Sequence, residues 1–143
     1  MSFLNSLDIS ASALSAQRTR MDIISQNIAN QATTKTSDGT PYRRQLVVFE
    51  EDKSFKKFLS DGSKKLKLSG VKVAAVVKDE TPFTPVYDPT NPDADENGYI
   101  YMPNVDNAKE QIDLLAASNS YSANLTAMGV TKAMAQKALE LMK

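Results

Sequence analysis

All six prolines, at positions 41, 82, 85, 89, 92 and 103, and four of the five glycines, at 39, 62, 70 and 98, fall in the middle of the chain. Proline breaks a helix interior and glycine weakens one, so the two ends are the only long stretches free to be helical. Each end also carries a repeat. Leu7, Leu14, Met21 and Ile28 recur every seventh residue, with Ala11 and Ile24 widening the stripe, which predicts a helix from Leu4 to about Asn30. Leu114, Tyr121, Met128, Ala135 and Met142 keep the same spacing at the other end, flanked by Leu125 and Leu139. Asp106 is the expected N-cap of that second helix, a short acceptor side chain just ahead of the periodic run.

A seven-residue repeat drifts slowly around a helix and matches a partner helix that winds with it better than a flat sheet. Either stripe alone would suit an ordinary amphipathic helix on a globular core. Two of them at opposite ends of one short chain point to each other. Their remaining faces are poor in charge: residues 1–32 carry four charged side chains and residues 105–143 eight, against 22 in residues 33–104. A solvated helical hairpin normally shows a more charged outer face, so several faces of these helices are expected to meet protein. Gly129 interrupts the second helix at a cost of about 1 kcal/mol relative to alanine, and is read as a close-approach point or a bend.

Between the helices, Gln45 to Glu50 and Val71 to Lys78 are β-branched and apolar, which predicts strands, and Tyr99 to Met102 adds a third short one. The connection from Glu51 to Gly70 holds six lysines (53, 56, 57, 64, 65 and 67) and is read as a solvated loop, with Phe55, Phe58 and Leu59 pinning a helical turn. Residues 81–104 hold five prolines and are expected to cross the surface as ordered extended chain. The fold class is therefore α+β: long N- and C-terminal helices paired as an antiparallel, coiled-coil-like hairpin with a small β-rich module inserted. Its segments are 1–32, an assembly helix; 33–104, the β-rich module; and 105–143, a second assembly helix.

Composition narrows the chemistry. The chain has no cysteine and no histidine, which removes thiol nucleophiles, imidazole bases and the usual zinc ligands. Seventeen basic residues balance seventeen acidic ones, so no field draws nucleic acid or an anionic membrane. No run approaches the 18 or so apolar residues of a membrane span, and Met1 to Ser15 has no basic lead-in to a secretory signal. Asp93-Ala-Asp95-Glu-Asn97-Gly98 opens like a calcium loop, but its twelfth position is Asn104 rather than glutamate, and prolines deny it flanking helices. It is read as a turn before a strand. Asp79/Glu80 and Glu50/Glu51 point to opposite faces of a strand, and Asn124-Leu-Thr lies within the second helix. No catalytic, cofactor or metal residue set emerges.

The segment Leu7-Asp-Ile-Ser-Ala-Ser-Ala-Leu-Ser-Ala-Gln17 followed by Met21-Asp-Ile-Ile-Ser-Gln-Asn-Ile-Ala-Asn30 resembles the N-terminal signature of bacterial flagellar rod and hook proteins. Asp38-Gly-Thr-Pro-Tyr-Arg-Arg44, Val47-Val-Phe49, Val86-Tyr-Asp-Pro-Thr-Asn-Pro92, Asn97-Gly-Tyr99, Met102-Pro-Asn-Val-Asp106 and Ala117-Ser-Asn-Ser-Tyr-Ser-Ala-Asn124 are similar to landmarks of proximal-rod subunits, and the likeness spans nearly the whole chain. The resemblance implies a structural, non-enzymatic subunit that needs no cofactor. Its implied partners are other rod subunits, copies of itself, the basal-body ring and proteins near the export gate, with neither nucleic acid nor membrane insertion. It also implies flagellar type III export to the basal body in the cell envelope, without a cleaved signal. The expected assembly interface is Leu7, Leu14, Met21, Ile28, Leu114, Tyr121, Leu125, Met128, Leu139 and Met142. The competing readings are a cytosolic coiled-coil adaptor or interaction protein, and another axial-family rod subunit.

Overall fold

The computed structural model describes residues 3–52 and 70–141. The lysine-rich stretch, its proposed helical turn and Met142 lie outside the described residues. Six elements follow in chain order: α1 (Phe3–Ala29), β1 (Gln45–Glu51), β2 (Val71–Lys78), β3 (Thr84–Tyr87), β4 (Tyr99–Met102) and α2 (Asn107–Glu140). At 1.5 Å per residue α1 is about 40 Å long and α2 about 51 Å.

The two helices pack against each other along their length. They run antiparallel, because Asn27 near the end of α1 meets Glu110 in the first turn of α2, and Arg20, farther back on α1, meets Asp113, farther along α2. Asp106 caps α2 from extended backbone (φ −96°, ψ 110°), its carboxylate accepting from the Ala108 and Lys109 amides at 2.9 and 3.3 Å.

Strands β1 and β2 form an antiparallel ribbon from Gln45↔Lys78 to Glu51↔Val71, with a bulge at Val48/Phe49 that leaves Ala74 without an opposite number. The ribbon lies along α1 and is tied to it at both ends. Asn27 brackets Gln45 at one end, and the Ser12 hydroxyl accepts the Val71 amide at 3.1 Å at the other. The lengths match: fifteen residues of helix and six of strand each span about 20 Å. Gly70 belongs to the second tie, since a Cβ there would run into the Ser12 hydroxyl.

The expected extended chain before β4 contains a strand of its own. β3 pairs with β4 from Thr84↔Met102 to Tyr87↔Tyr99. The Asp88 amide bonds to the Gly98 carbonyl at 2.9 Å, and strict alternation from there puts Pro85 opposite Tyr101 at a pair that needs no N–H. Four prolines close by had hidden this strand from a propensity reading. The turn joining the two strands is the calcium-like stretch. Asp95 accepts from the Asn97 and Tyr99 amides, both at 2.9 Å, while Asp93 accepts from the Thr34 hydroxyl at 2.7 Å. These carboxylates close turns and tie the hairpin back to the chain after α1.

Gly98 adopts φ +79°, and a Cβ would meet the Tyr87 ring at 3.0 Å and Pro89 at 3.2 Å. Gly129 differs: α2 runs unbroken through it, and nothing lies within 4 Å of a Cβ built there. It serves no close approach among the described residues. Gly98→Ala should therefore destabilise the chain by about 1–3 kcal/mol, whereas Gly129→Ala should stabilise it by about 1 kcal/mol. Urea denaturation of the two variants beside the unaltered chain measures both signs.

Candidate functional site

Among the described residues the fully buried side chains are few, and the two largest are polar: Glu110 and Asn27. They meet where α1 ends, α2 begins and β1 starts. Asn27 uses all four of its hydrogen-bonding positions. Its amide donates to the Gln45 carbonyl at 2.9 Å and to Glu110 Oε2 at 3.0 Å, and its oxygen accepts from the Gln45 amide at 3.0 Å and the Tyr42 hydroxyl at 2.9 Å. To β1, the side chain of a helix residue looks like another strand.

Arg44 completes the node. Its Nε donates to Glu110 Oε1 at 2.6 Å, Nη1 lies 3.4 Å from Asp79 and Nη2 3.4 Å from Asp113, which also receives Arg20 at 3.5 Å. The Arg44 amide donates to Asn104 Oδ1 at 2.8 Å, and the Asn104 amide donates to the carbonyls of Asp79 and Thr81, both at 3.1 Å. One cluster therefore joins α1, the entry to β1, the exit from β2, the approach to α2 and α2 itself.

The electrostatics follow from this burial. Burial opposes the Arg44 charge, but the bonds and charges of Glu110 and Asp79 outweigh it and raise the guanidinium pKa. Burial, helped by the Glu110 charge, raises the Tyr42 phenol above its ordinary value. Hydrogen bonds from the Thr81 hydroxyl and amide, reinforced by Arg44, hold Asp79 below its ordinary value of 3.8.

Away from the node the helix seam is thinner. On α2 a line of covered positions runs 110, 114, 117, 121, 124, 128, 131, 135, alternating steps of four and three, with Asp113 and Ser120 covered beside it. The apolar half of that pattern, Leu114, Tyr121, Met128 and Ala135, is the half visible as a sequence repeat. The other half is Glu110, Ala117, Asn124 and Thr131, which is polar or small and gives no hydropathy signal. On α1, Leu7, Leu14, Met21 and Ile28 are half-buried, while the fully buried positions are Ala16, Ile24 and Asn27. Leu125 and Leu139 are 53% and 65% exposed. They stand with Ile112, Leu115, Val130, Met134 and Leu141, all more than half exposed, around α2 and at its C-cap.

The sequence reading missed Arg20, Asn27, Tyr42, Arg44, Asp79, Asn104, Glu110 and Asp113. Asn27 and Glu110 could have been found as polar residues in phase with an apolar seam. Arg44 and Asp79 sit in loops beside strand ends, where no periodicity points at them.

Comparison with known proteins now bears on this architecture. The family described as flagella basal body rod protein matches residues 7–34, which cover most of α1. The family described as flagellar basal body rod FlgEFG protein C-terminal matches residues 96–141, covering β4 and α2. The chain is 46% identical over 151 residues to the flagellar basal-body rod protein FlgC of Bacillus subtilis, with all of both chains covered. The chain belongs to the flagellar basal-body rod protein family. The rod proteins FlgC of Aquifex aeolicus and Salmonella typhimurium are 42% and 41% identical over 144 and 141 residues, each with at least 98% of both chains covered. The two family matches take in the two helices, so the parts that define membership of the rod family are those that pair here. No helix among the described residues is long and apolar enough to cross a membrane.

Removing Glu110 strands a buried guanidinium. Glu110→Ala should cost about 3–5 kcal/mol in chemical denaturation. Asp79 gives the pH dependence its sign: with a lowered native pKa, its contribution is present above 3.8 and is lost as pH falls through the native value. Asp79→Asn should therefore flatten the acid limb of the stability curve and leave its alkaline limb unchanged.

Proposed function

We propose that this chain is a structural subunit of the proximal rod of the bacterial flagellar basal body. In this reading it polymerises with other rod subunits and copies of itself into the shaft that carries torque from the basal-body ring to the hook. The observation that carries the reading is the set of apolar residues from Ile112 to Leu141 that stand more than half exposed around α2, a helix about 51 Å long, and at its C-cap. Covering one such leucine contributes about 1.5–3 kcal/mol, so a lattice of neighbours gains much from a face that a free monomer wastes. Rod-family membership over the full chain, in relatives named as flagellar basal-body rod proteins, supports the same reading.

The segments divide the labour. Residues 1–32 and 105–143 are the assembly helices, and residues 33–104 are the β-rich module that faces outward from the shaft. The interface comprises Leu7, Leu14, Met21, Ile28, Leu114, Tyr121, Leu125, Met128, Leu139 and Met142. Half-buried members close the pair inside a subunit and reach its edges, while Leu125 and Leu139 are free for neighbours. Stiffness comes from many interlocked side chains acting together, and no step of the role calls for catalysis or a cofactor. The chain reaches the envelope through flagellar type III export and also meets the basal-body ring and proteins near the export gate.

Leu125→Asp tests the interface without touching the subunit core, because this side chain is already 53% exposed. Stability of the purified chain should change by less than about 0.5 kcal/mol. Export should continue, while rod assembly and swimming are lost. Normal motility would remove Leu125 from the interface, and a diffuse cytoplasmic location for the tagged wild-type chain would favour the adaptor reading.

A further inference from the structure

We propose that the Asn27–Arg44–Glu110 node is a register lock: it selects one alignment of two helices whose seam would otherwise accept another. The reason lies in the composition of the seam. On α2 the covered positions read Glu110, Leu114, Ala117, Tyr121, Asn124, Met128, Thr131 and Ala135, with Asp113 and Ser120 covered beside them. A slide of one heptad replaces Leu114 by Tyr121, Tyr121 by Met128 and Asn124 by Thr131, exchanges of similar character, while Ala117 gives way to Asn124, Met128 to Ala135 and Asp113 to Ser120. An apolar-and-small seam of this kind specifies register weakly, whereas one buried polar position that must find its partner specifies it strongly.

Glu110 is the position where the exchange costs most, because a slide takes the closest carboxylate away from a buried guanidinium. The glutamate is 0% exposed, and both carboxylate oxygens are engaged, one by Arg44 at 2.6 Å and one by Asn27 at 3.0 Å. One heptad on, the residue delivered to that spot is Ala117. Arg44 would lose its closest carboxylate and Asn27 one of its four bonds. Only this direction of slip is open, since Pro103 and the Asn104 contacts stand immediately before the helix cap. The chain could follow by unwinding the first two turns of α2. Nothing apolar holds those turns down, because Ile112, their largest apolar side chain, is 69% exposed.

The node is thus a positioning device. Where Leu125 to Leu141 stand along α1 depends on which residue meets Arg44, although the lock itself rests on geometry and not on the assembly role. A slip displaces α2 by about 10 Å, seven residues at 1.5 Å each.

The chain has no cysteine, so two introduced ones can be spin-labelled without background. Labels on Gln26→Cys and Ala133→Cys, both exposed and far apart along the hairpin axis, convert a slip into a change of distance. With the native node, pulsed electron–electron resonance should give one narrow distance. Arg44→Met with Glu110→Leu should keep the helices by circular dichroism while adding a second population about 10 Å shorter. Moving the carboxylate, Glu110→Ala with Ala117→Glu, should shift the main population to that shorter distance. A single native distance in both folded variants would overturn the lock. Loss of helix in both would overturn it too, because a lock presupposes a seam that can close without it.

Discussion

A guanidinium taken out of water is what organises this subunit. Arg44 sits where five chain segments meet, and its charge is tolerable only because Asp79 comes to it from the exit of β2 and Glu110 and Asp113 from α2. Asn27 then joins that ion cluster to the backbone of β1 with a fully satisfied side chain. A subunit whose buried apolar residues among those described are only Ala16, Ile24, Ile100, Pro103 and Ala117 cannot rely on a conventional core. It relies on a polar junction that fixes directions, and on long helices that leave the junction already aligned.

That arrangement suits a polymer. The buried polar bonds concentrate at one end of the helical hairpin, while at the other end residues 136–141 are all exposed, Leu139 and Leu141 among them. In a globular monomer such a face is a liability. In the proposed tube of like subunits it would be the site of contact, and neighbours would complete the modest subunit core. The β3–β4 hairpin carries the same logic outward: Ile100 is buried beneath it, while Tyr87, Tyr99 and Tyr101 stand exposed on its other face, with the Tyr87 and Tyr99 rings packed edge to face at 5.3 Å.

Much of this was legible from residue types alone. Proline and glycine placement marked the helices, the heptads paired them, and β-branched runs marked β1, β2 and β4 to within a residue. Asp106 capped α2 as its side chain predicts. Two things escaped. β3 was masked by Pro85, whose missing N–H costs nothing at the pair it occupies. The polar node was masked because Arg44 and Glu110 are 66 residues apart and neither neighbourhood looks unusual. Periodicity reports which residues avoid water, and it is silent about charges that are buried because another charge waits for them.

A structure of the intact basal body with this chain traced measures the central claim most directly. The predicted result is a hairpin with Arg44 still on Glu110, and with Leu125, Val130, Met134 and Leu139 packed against helices of neighbouring subunits. Finding those four side chains facing solvent in the assembled rod would contradict it.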